Sequence, residues 1–137
     1  MRVMAIDYGG KRCGVAVTDP MQIIATGLQA VPTQELMAFI KDYVSREAVE
    51  RFIVGEPKRM DNTPAQSAEM VNNFVKFLQR TFPNIPVEML DERFTSKMAT
   101  ASMLESGLKK KDRRIKENVD IISATIILQS YLEKVKR

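Results

Sequence analysis

Short apolar runs separated by turn residues divide the first part of the chain into three predicted strands. The first covers residues 2–7, and Gly9-Gly10 separates it from a second strand at about 12–18 and a third at about 22–31. Short consecutive strands joined by tight connections pair in antiparallel fashion. We therefore expect an antiparallel three-stranded meander at the beginning of the fold.

Helical and extended patterns alternate through the rest of the chain. Apolar residues at helical spacing predict a helix over 34–47 that begins at Thr33, and a second helix with Thr63 as its N-cap. The other predicted elements are strands at 52–54 and about 86–90, a short helix to about residue 105 capped by Thr95 or Ser96, and a final helix over about 118–135. Each later strand follows a helix, which favours right-handed parallel crossovers. The prediction is one α/β domain over residues 1–137, with a mixed five-stranded sheet flanked by helices.

Composition narrows the possible chemistry. The chain has no histidine and a single cysteine, Cys13. These counts exclude His-dependent triads, His-ligated metals, an internal disulfide and multi-thiolate zinc sites. Cys13 stands in an apolar strand, so we interpret it as a small buried residue. Acid–base work is left to carboxylates, lysine, tyrosine or metal-bound water.

The net charge of +4 is concentrated in one segment. Residues 109–117 hold six bases and two acids, so they account for the whole excess. A localised basic segment suits a polyanion such as nucleic acid, although a solvated loop that aids solubility has the same composition. No run approaches the roughly 20 apolar residues of a membrane helix. Asp7 and Lys11-Arg12 interrupt any signal sequence. We expect a cytoplasmic protein without a membrane partner.

Three carboxylates stand at the ends of predicted elements. Asp7 closes the first strand, Glu92 follows the fifth, and Asp120 shares a helical face with apolar residues at 124, 127 and 131. In such sheets functional groups gather outside the carboxyl ends of the parallel strands. Converging acids repel one another unless a cation neutralises them, and Mg²⁺ or Mn²⁺ prefers oxygen ligands. The pattern favours metal-assisted phosphoryl chemistry.

Each acid also has an ordinary structural interpretation, and the residues alone leave the choice open. Asp7 could be a turn residue before glycines. Glu92 could pair with Arg93 or cap the following helix. Asp120, in the first turn of a helix that begins near residue 118, could complement the helix dipole.

Four segments resemble the YqgF/RuvX family, which has a ribonuclease H-like fold. They are DYGGKRCGVAVTD at 7–19, VGEPKRMD at 54–61, DERFTS at 91–96 and the helix of 119–132. They occur in the family's order and span nearly the whole chain. The resemblance implies a bacterial nuclease that processes the 5′ end of precursor 16S rRNA, or a Holliday junction resolvase acting on branched DNA.

The same resemblance implies Asp7, Glu92 and Asp120 as catalytic metal ligands. Two Mg²⁺ or Mn²⁺ ions, roughly 3.5–4 Å apart, would bridge the scissile phosphate, with Asp7 between them. Basic side chains beside these acids or in the charged segment would contact the nucleic acid. These are Lys11, Arg12, Arg93, Lys109, Lys110, Lys111, Arg113 and Arg114.

The chain departs from the family pattern at two loop positions and lacks one acid found in related resolvases. Glu56 replaces an apolar residue and Asn62 replaces a glycine. Related resolvases carry an acid one helical turn after the last ligand, where this chain has Ser123. We therefore expect three principal ligands and a weaker case for junction resolution.

Three other functions remain open at this point. Actin-like and sugar-kinase-like ATP-binding proteins share this fold core, but they need two such domains. A non-catalytic RNA-binding assembly factor would use the basic segment alone. A junction resolvase would need a symmetric dimer with two sites, so the sequence is compatible with a monomer or a homodimer.

Overall fold

The computed structural model describes residues 1–56, 68–91 and 115–135. A five-stranded sheet forms the centre of the fold. Its strands are β1 (Arg2–Asp7), β2 (Arg12–Thr18), β3 (Ala25–Pro32), β4 (Val49–Glu56) and β5 (Val87–Asp91). The described helices are a 3₁₀ turn at Thr33–Glu35, α1 (Leu36–Arg46), α2 (Ala68–Thr81) and α3 (Ile115–Val135).

The strand order across the sheet is β3-β2-β1-β4-β5. β1 pairs with β2, and β2 with β3, in antiparallel fashion, whereas β4 runs parallel to both β1 and β5. This arrangement confirms the predicted meander followed by two parallel strands. β1 is the central strand, so its carboxyl end lies at the middle of one sheet edge.

The two faces of the sheet bury different helices. Alternation along β1 directs Met4 and Ile6 into the core beneath α1 and α2. Val3 and Ala5 point to the other face, where α3 covers them. The α3 core residues are Ala124, Ile127, Leu128, Tyr131 and Leu132. This confirms the buried helical face predicted for 124, 127 and 131.

The part of the sheet beneath α3 is lined by small residues. Ala5 and Ala16 are fully buried there. An ideal Cβ built on Gly14 would meet the Asp120 carbonyl oxygen at 1.9 Å, and one built on Gly27 would meet Ile121 Cγ2 at 2.4 Å. The missing side chains let α3 pack unusually close to β2 and β3.

Two strands differ from the predicted bounds for identifiable reasons. β4 runs over Val49–Glu56 rather than 52–54, because it pairs with a strand on each side and its hydrogen bonds extend beyond the apolar run. β3 begins at Ala25 rather than 22. The preceding turn is held by the Asp19 carboxylate, whose Oδ1 accepts the Ile23 and Ile24 N–H groups at 2.7 and 2.8 Å.

Helix α1 begins later than predicted. Thr33 opens a 3₁₀ turn, and α1 follows at Leu36 without a side-chain cap. The Thr33 hydroxyl instead donates to the Gly9 carbonyl oxygen at 2.7 Å. The predicted Thr63 cap and the predicted short helix capped by Thr95 or Ser96 lie outside the described residues. No helix in the described ranges is long and apolar enough to cross a membrane.

Candidate metal centre

Asp7 lies at the carboxyl end of the central strand. It is the last residue of β1 and is half-buried. Val3 and Ala5 precede it in the strand alternation and pack toward α3. Asp7 therefore belongs to the α3 face of the sheet.

Asp120 lies on α3, the helix that covers the Asp7 face of the sheet. Its backbone carbonyl lies against the α-carbon of Gly14. Gly14 is the cross-strand partner of Asp7, and directly opposed residues of antiparallel strands have Cα atoms about 4.5–5.5 Å apart. Two acids separated by more than a hundred residues in sequence are thus brought together at one sheet edge.

An arginine lies between the sheet and Asp120. Arg12 Nε donates to Asp120 Oδ2 at 2.9 Å, and the side chains are 32% and 26% exposed. Like Gly14 and Ala16, which alternate with it along β2, Arg12 belongs to the α3 face. Its charge offsets the repulsion that two nearby carboxylates would otherwise feel.

The position of Asp120 in its helix weakens the helix-dipole interpretation. α3 begins at Ile115, earlier than the predicted residue 118. Asp120 therefore stands in the second turn, and the dipole effect falls off within the first. An acid so placed, close to the sheet and half-buried, is better explained by its partners at the sheet edge.

Hydrogen bonds from Thr33 and to Cys13 hold the glycine loop that follows Asp7. The Gly9 carbonyl accepts the Thr33 hydroxyl, and the Gly9 N–H lies 3.5 Å from Cys13 Sγ. Cys13 is fully buried, as predicted. Burial raises the pKa of its thiol, and the nearby charges of Asp7 and Asp120 raise it further. Cys13 is therefore a protonated packing residue that anchors the loop rather than a nucleophile.

Two positions at which the sequence departs from related proteins, Glu56 and Ser123, do not add a carboxylate to this site. Glu56 ends β4, and its alternation with Phe52 and Val54 places it on the face toward α1 and α2, opposite to Asp7. Ser123, where related resolvases carry an acid, is buried with 8% exposure. Within the described ranges no group of three His, Cys, Asp or Glu residues is placed to hold an ion.

Lys11, predicted to contact nucleic acid, is exposed beside the glycine loop. Most of the other predicted site residues fall outside the part of the chain that the structure describes. They are Glu92, Arg93, Lys109, Lys110, Lys111, Arg113 and Arg114, and Asn62, a departure from the family pattern, falls outside it as well. Their predicted roles remain predictions.

The sequence reasoning missed two residues that build the site. Gly14 admits the backbone of Asp120, and Thr33 anchors the glycine loop. A glycine inside an otherwise apolar strand is a signal of close backbone approach, so Gly14 was detectable. Thr33 carried no such signal, because its position also suited a helix cap.

The chemistry of this donor set suits a hard divalent cation. Mg²⁺ is usually held by one or two carboxylates together with waters and substrate phosphates. Asp7 and Asp120 supply two carboxylates that the fold brings to one edge. No histidine or second cysteine is present to favour a softer metal.

Comparison with known proteins agrees with this reading of the fold. A chain of Christiangramia forsetii named "Putative pre-16S rRNA nuclease" is 58% identical over 131 residues, covering 96% of this chain and 97% of its own. A protein of the same name from Bacteroides fragilis is 58% identical over 132 residues, covering 96% of each chain.

Among solved structures, Thermus thermophilus RuvC in complex with a Holliday junction substrate has a TM-score of 0.61 at 19% identity. The match covers 99% of this chain and 96% of that chain. It confirms the ribonuclease H-like fold. The family described as "RuvX: Holliday junction resolvase" matches residues 1–134, and this chain belongs to that family.

Proposed function

We propose that this chain is a metal-dependent nuclease that hydrolyses phosphodiester bonds in precursor 16S rRNA during ribosome biogenesis in the cytoplasm. The convergence of Asp7 and Asp120 at the carboxyl edge of β1 carries the proposal. Carboxylates at this edge are where an α/β sheet positions its reactive groups. The choice of precursor 16S rRNA as the substrate follows the names of relatives at 58% identity.

Asp7, Asp120 and Glu92 would hold Mg²⁺ or Mn²⁺. Glu88 and Leu90 alternate toward the α3 side of β5, where Glu88 Oε2 lies 3.8 Å from Lys134 of α3 and Leu90 packs against the α3 core. Glu92 follows Asp91, the last residue of β5, and the family resemblance assigns it to the ligand set. When bound, one or two such ions would activate water and stabilise the leaving oxygen.

The chain's own residues would position the phosphate and neutralise charge. An ideal Cβ built on Gly9 would meet the Arg12 carbonyl oxygen at 2.4 Å, so glycine at this position lets the loop after Asp7 fold back onto the start of β2. Lys11 is exposed at the same loop and would face the substrate backbone. Arg93 follows Glu92 directly and would add a second cation.

A cleavage assay tests the proposal. Precursor 16S rRNA with its 5′ extension should be shortened in Mg²⁺ or Mn²⁺ and remain intact in EDTA, because two or three carboxylates alone cannot stabilise a developing negative charge. Readdition of the ion should restore the product. Tight RNA binding with no cleavage in either ion would instead favour a non-catalytic assembly factor.

A second prediction concerns the basic segment. Replacing Lys109, Lys110 and Lys111 with glutamine should reduce the slope of log binding constant against log salt by about 2, since each lost contact to single-stranded RNA removes about 0.7. Filter binding over a salt series measures the slope. Lys41, Lys76 and Lys134 are exposed on helices and serve as a matched triple control. An equal change in both triple variants would contradict a specific role.

A junction resolvase is the second candidate, favoured by the family's description as a Holliday junction resolvase. That activity requires paired sites in a symmetric dimer. Ser123 stands where related resolvases carry a further acid, which weakens this candidate. Presenting a four-way DNA junction beside precursor rRNA under the same conditions separates the two: symmetric nicks in the junction with intact rRNA would favour resolution.

A further inference from the structure

We propose that Arg12 is a positioning residue, which holds the Asp120 carboxylate in the orientation needed to bind the divalent ion. The inference rests on the proposed nuclease function and deepens it. It also gives Arg12 a role other than the nucleic-acid contact that the sequence predicted.

The contact geometry supports a positioning role. Arg12 Nε lies 2.9 Å from Asp120 Oδ2, which is the short distance of a charge-assisted hydrogen bond. The planar guanidinium fixes the direction of the carboxylate as well as its charge. Arg12 extends from β2 and Asp120 from α3, so the contact joins the sheet to the helix at the site.

The surroundings of this ion pair differ from those of a surface pair. The Arg12 and Asp120 side chains are 32% and 26% exposed, whereas Arg46 and Asp42 on α1 are 65% and 64% exposed at a similar separation of 2.8 Å. Exposed pairs contribute little because water screens them. Partial shielding makes the Arg12 contact stronger and makes the orientation of Asp120 depend on it.

The neighbouring residues Lys11 and Arg12 differ in exposure and in partners, which indicates different roles. Lys11 precedes β2 and is exposed, so its ammonium can meet a phosphate. Arg12 begins β2 and points to the α3 face, where it already has a carboxylate partner. Asp7 lies on the same face across from Gly14. Arg12 therefore keeps Asp120 near Asp7 despite their like charges.

Replacing a residue that orients a metal ligand weakens metal binding. Loss of its hydrogen bond to the ligand typically lowers metal affinity by about 10- to 100-fold. We expect Arg12→Gln to lower Mn²⁺ affinity by a factor in that range. The salt slope of RNA binding should stay unchanged, because no phosphate contact is lost.

The experiment measures Mn²⁺ binding by electron paramagnetic resonance for the wild type, Arg12→Gln, Asp120→Asn, the Arg12→Gln/Asp120→Asn double variant and Asp7→Asn. If Arg12 acts through Asp120, the Arg12→Gln change should have less than about a twofold effect in the Asp120→Asn background. Arg46→Gln, which removes the exposed pair, serves as the control and should bind Mn²⁺ like the wild type. Circular dichroism confirms that each variant is folded.

Three results would overturn the inference. Mn²⁺ affinity that is unchanged or increased in Arg12→Gln would show that Arg12 does not orient a ligand. A salt slope of RNA binding reduced by about 0.7–0.9 in Arg12→Gln would show that Arg12 contacts a phosphate instead. Wild type and Asp7→Asn binding Mn²⁺ equally weakly would overturn the proposed metal site itself, which distinguishes that failure from the failure of Arg12 alone.

Discussion

Replacing Asp7 with asparagine is expected to lower phosphodiester cleavage by at least about 10²- to 10³-fold, the scale on which a single preorganised electrostatic group contributes. Asparagine keeps the size of the side chain but removes the charge that would hold a divalent ion. Single-turnover cleavage of precursor rRNA in Mg²⁺ and in Mn²⁺ measures the loss. Because the backbone of β1 remains paired with β2 and β4, the fold should persist.

A matched control separates this effect from a general loss of negative charge. Asp42 is an exposed acid paired with Arg46 on α1, which packs on the face of the sheet opposite to that of Asp7. Asp42→Asn should cleave at the wild-type rate. Wild-type cleavage by Asp7→Asn in Mn²⁺ would mean that the site lies elsewhere.

Replacing Gly14 with alanine is expected to destabilise the protein by about 3 kcal/mol, the upper end of the usual range for overpacking. The added Cβ would lie 1.9 Å from the Asp120 carbonyl oxygen, so α3 must move away from β2. Backbone atoms cannot rotate out of the way as a flexible side chain can. Urea unfolding followed by circular dichroism measures the change in the free energy of unfolding.

The same substitution should also impair cleavage at temperatures where the variant is folded. Displacing Asp120 by about 1 Å can lower the rate by about 10²-fold, because metal ligands tolerate little misplacement. Gly10→Ala is the control, since its Cβ would meet Met70 Cε at an ordinary 3.9 Å. Equal stability and activity of the two variants would contradict the close approach of α3 to Gly14.

Hydrophobic periodicity was sufficient to predict a mixed five-stranded sheet flanked by helices, whereas the ribonuclease H-like fold was implied by the family resemblance. The apolar runs that became β1 and β2 are buried, as the alternation predicted. The bounds of β3 and α1 were less predictable. The Asp19 carboxylate holds the turn before β3, and the Thr33 hydroxyl binds Gly9 instead of capping α1. Such polar side chains choose between backbone partners that only the folded chain presents.

The candidate site was predictable as a set of residue types but not as a geometry. Asp7 and Asp120 were selected because they interrupt apolar patterns at element ends. Their approach depends on Gly14, which is small enough to admit the α3 backbone. The partner of Arg12 could not be inferred, since Asp120 is distant in sequence and an arginine can serve a carboxylate or a phosphate equally well.

Four properties follow from the residues alone: the strand and helix pattern, the absence of histidine chemistry, the location of the charge excess and the family resemblance. The folded chain was needed to show that Asp7 and Asp120 share one face, that Glu56 belongs to the other, and that Arg12 binds Asp120. This division arises because periodicity and composition are local properties of a chain. Which acids meet depends on strand order and on how closely a helix can pack, and both are set by long-range contacts.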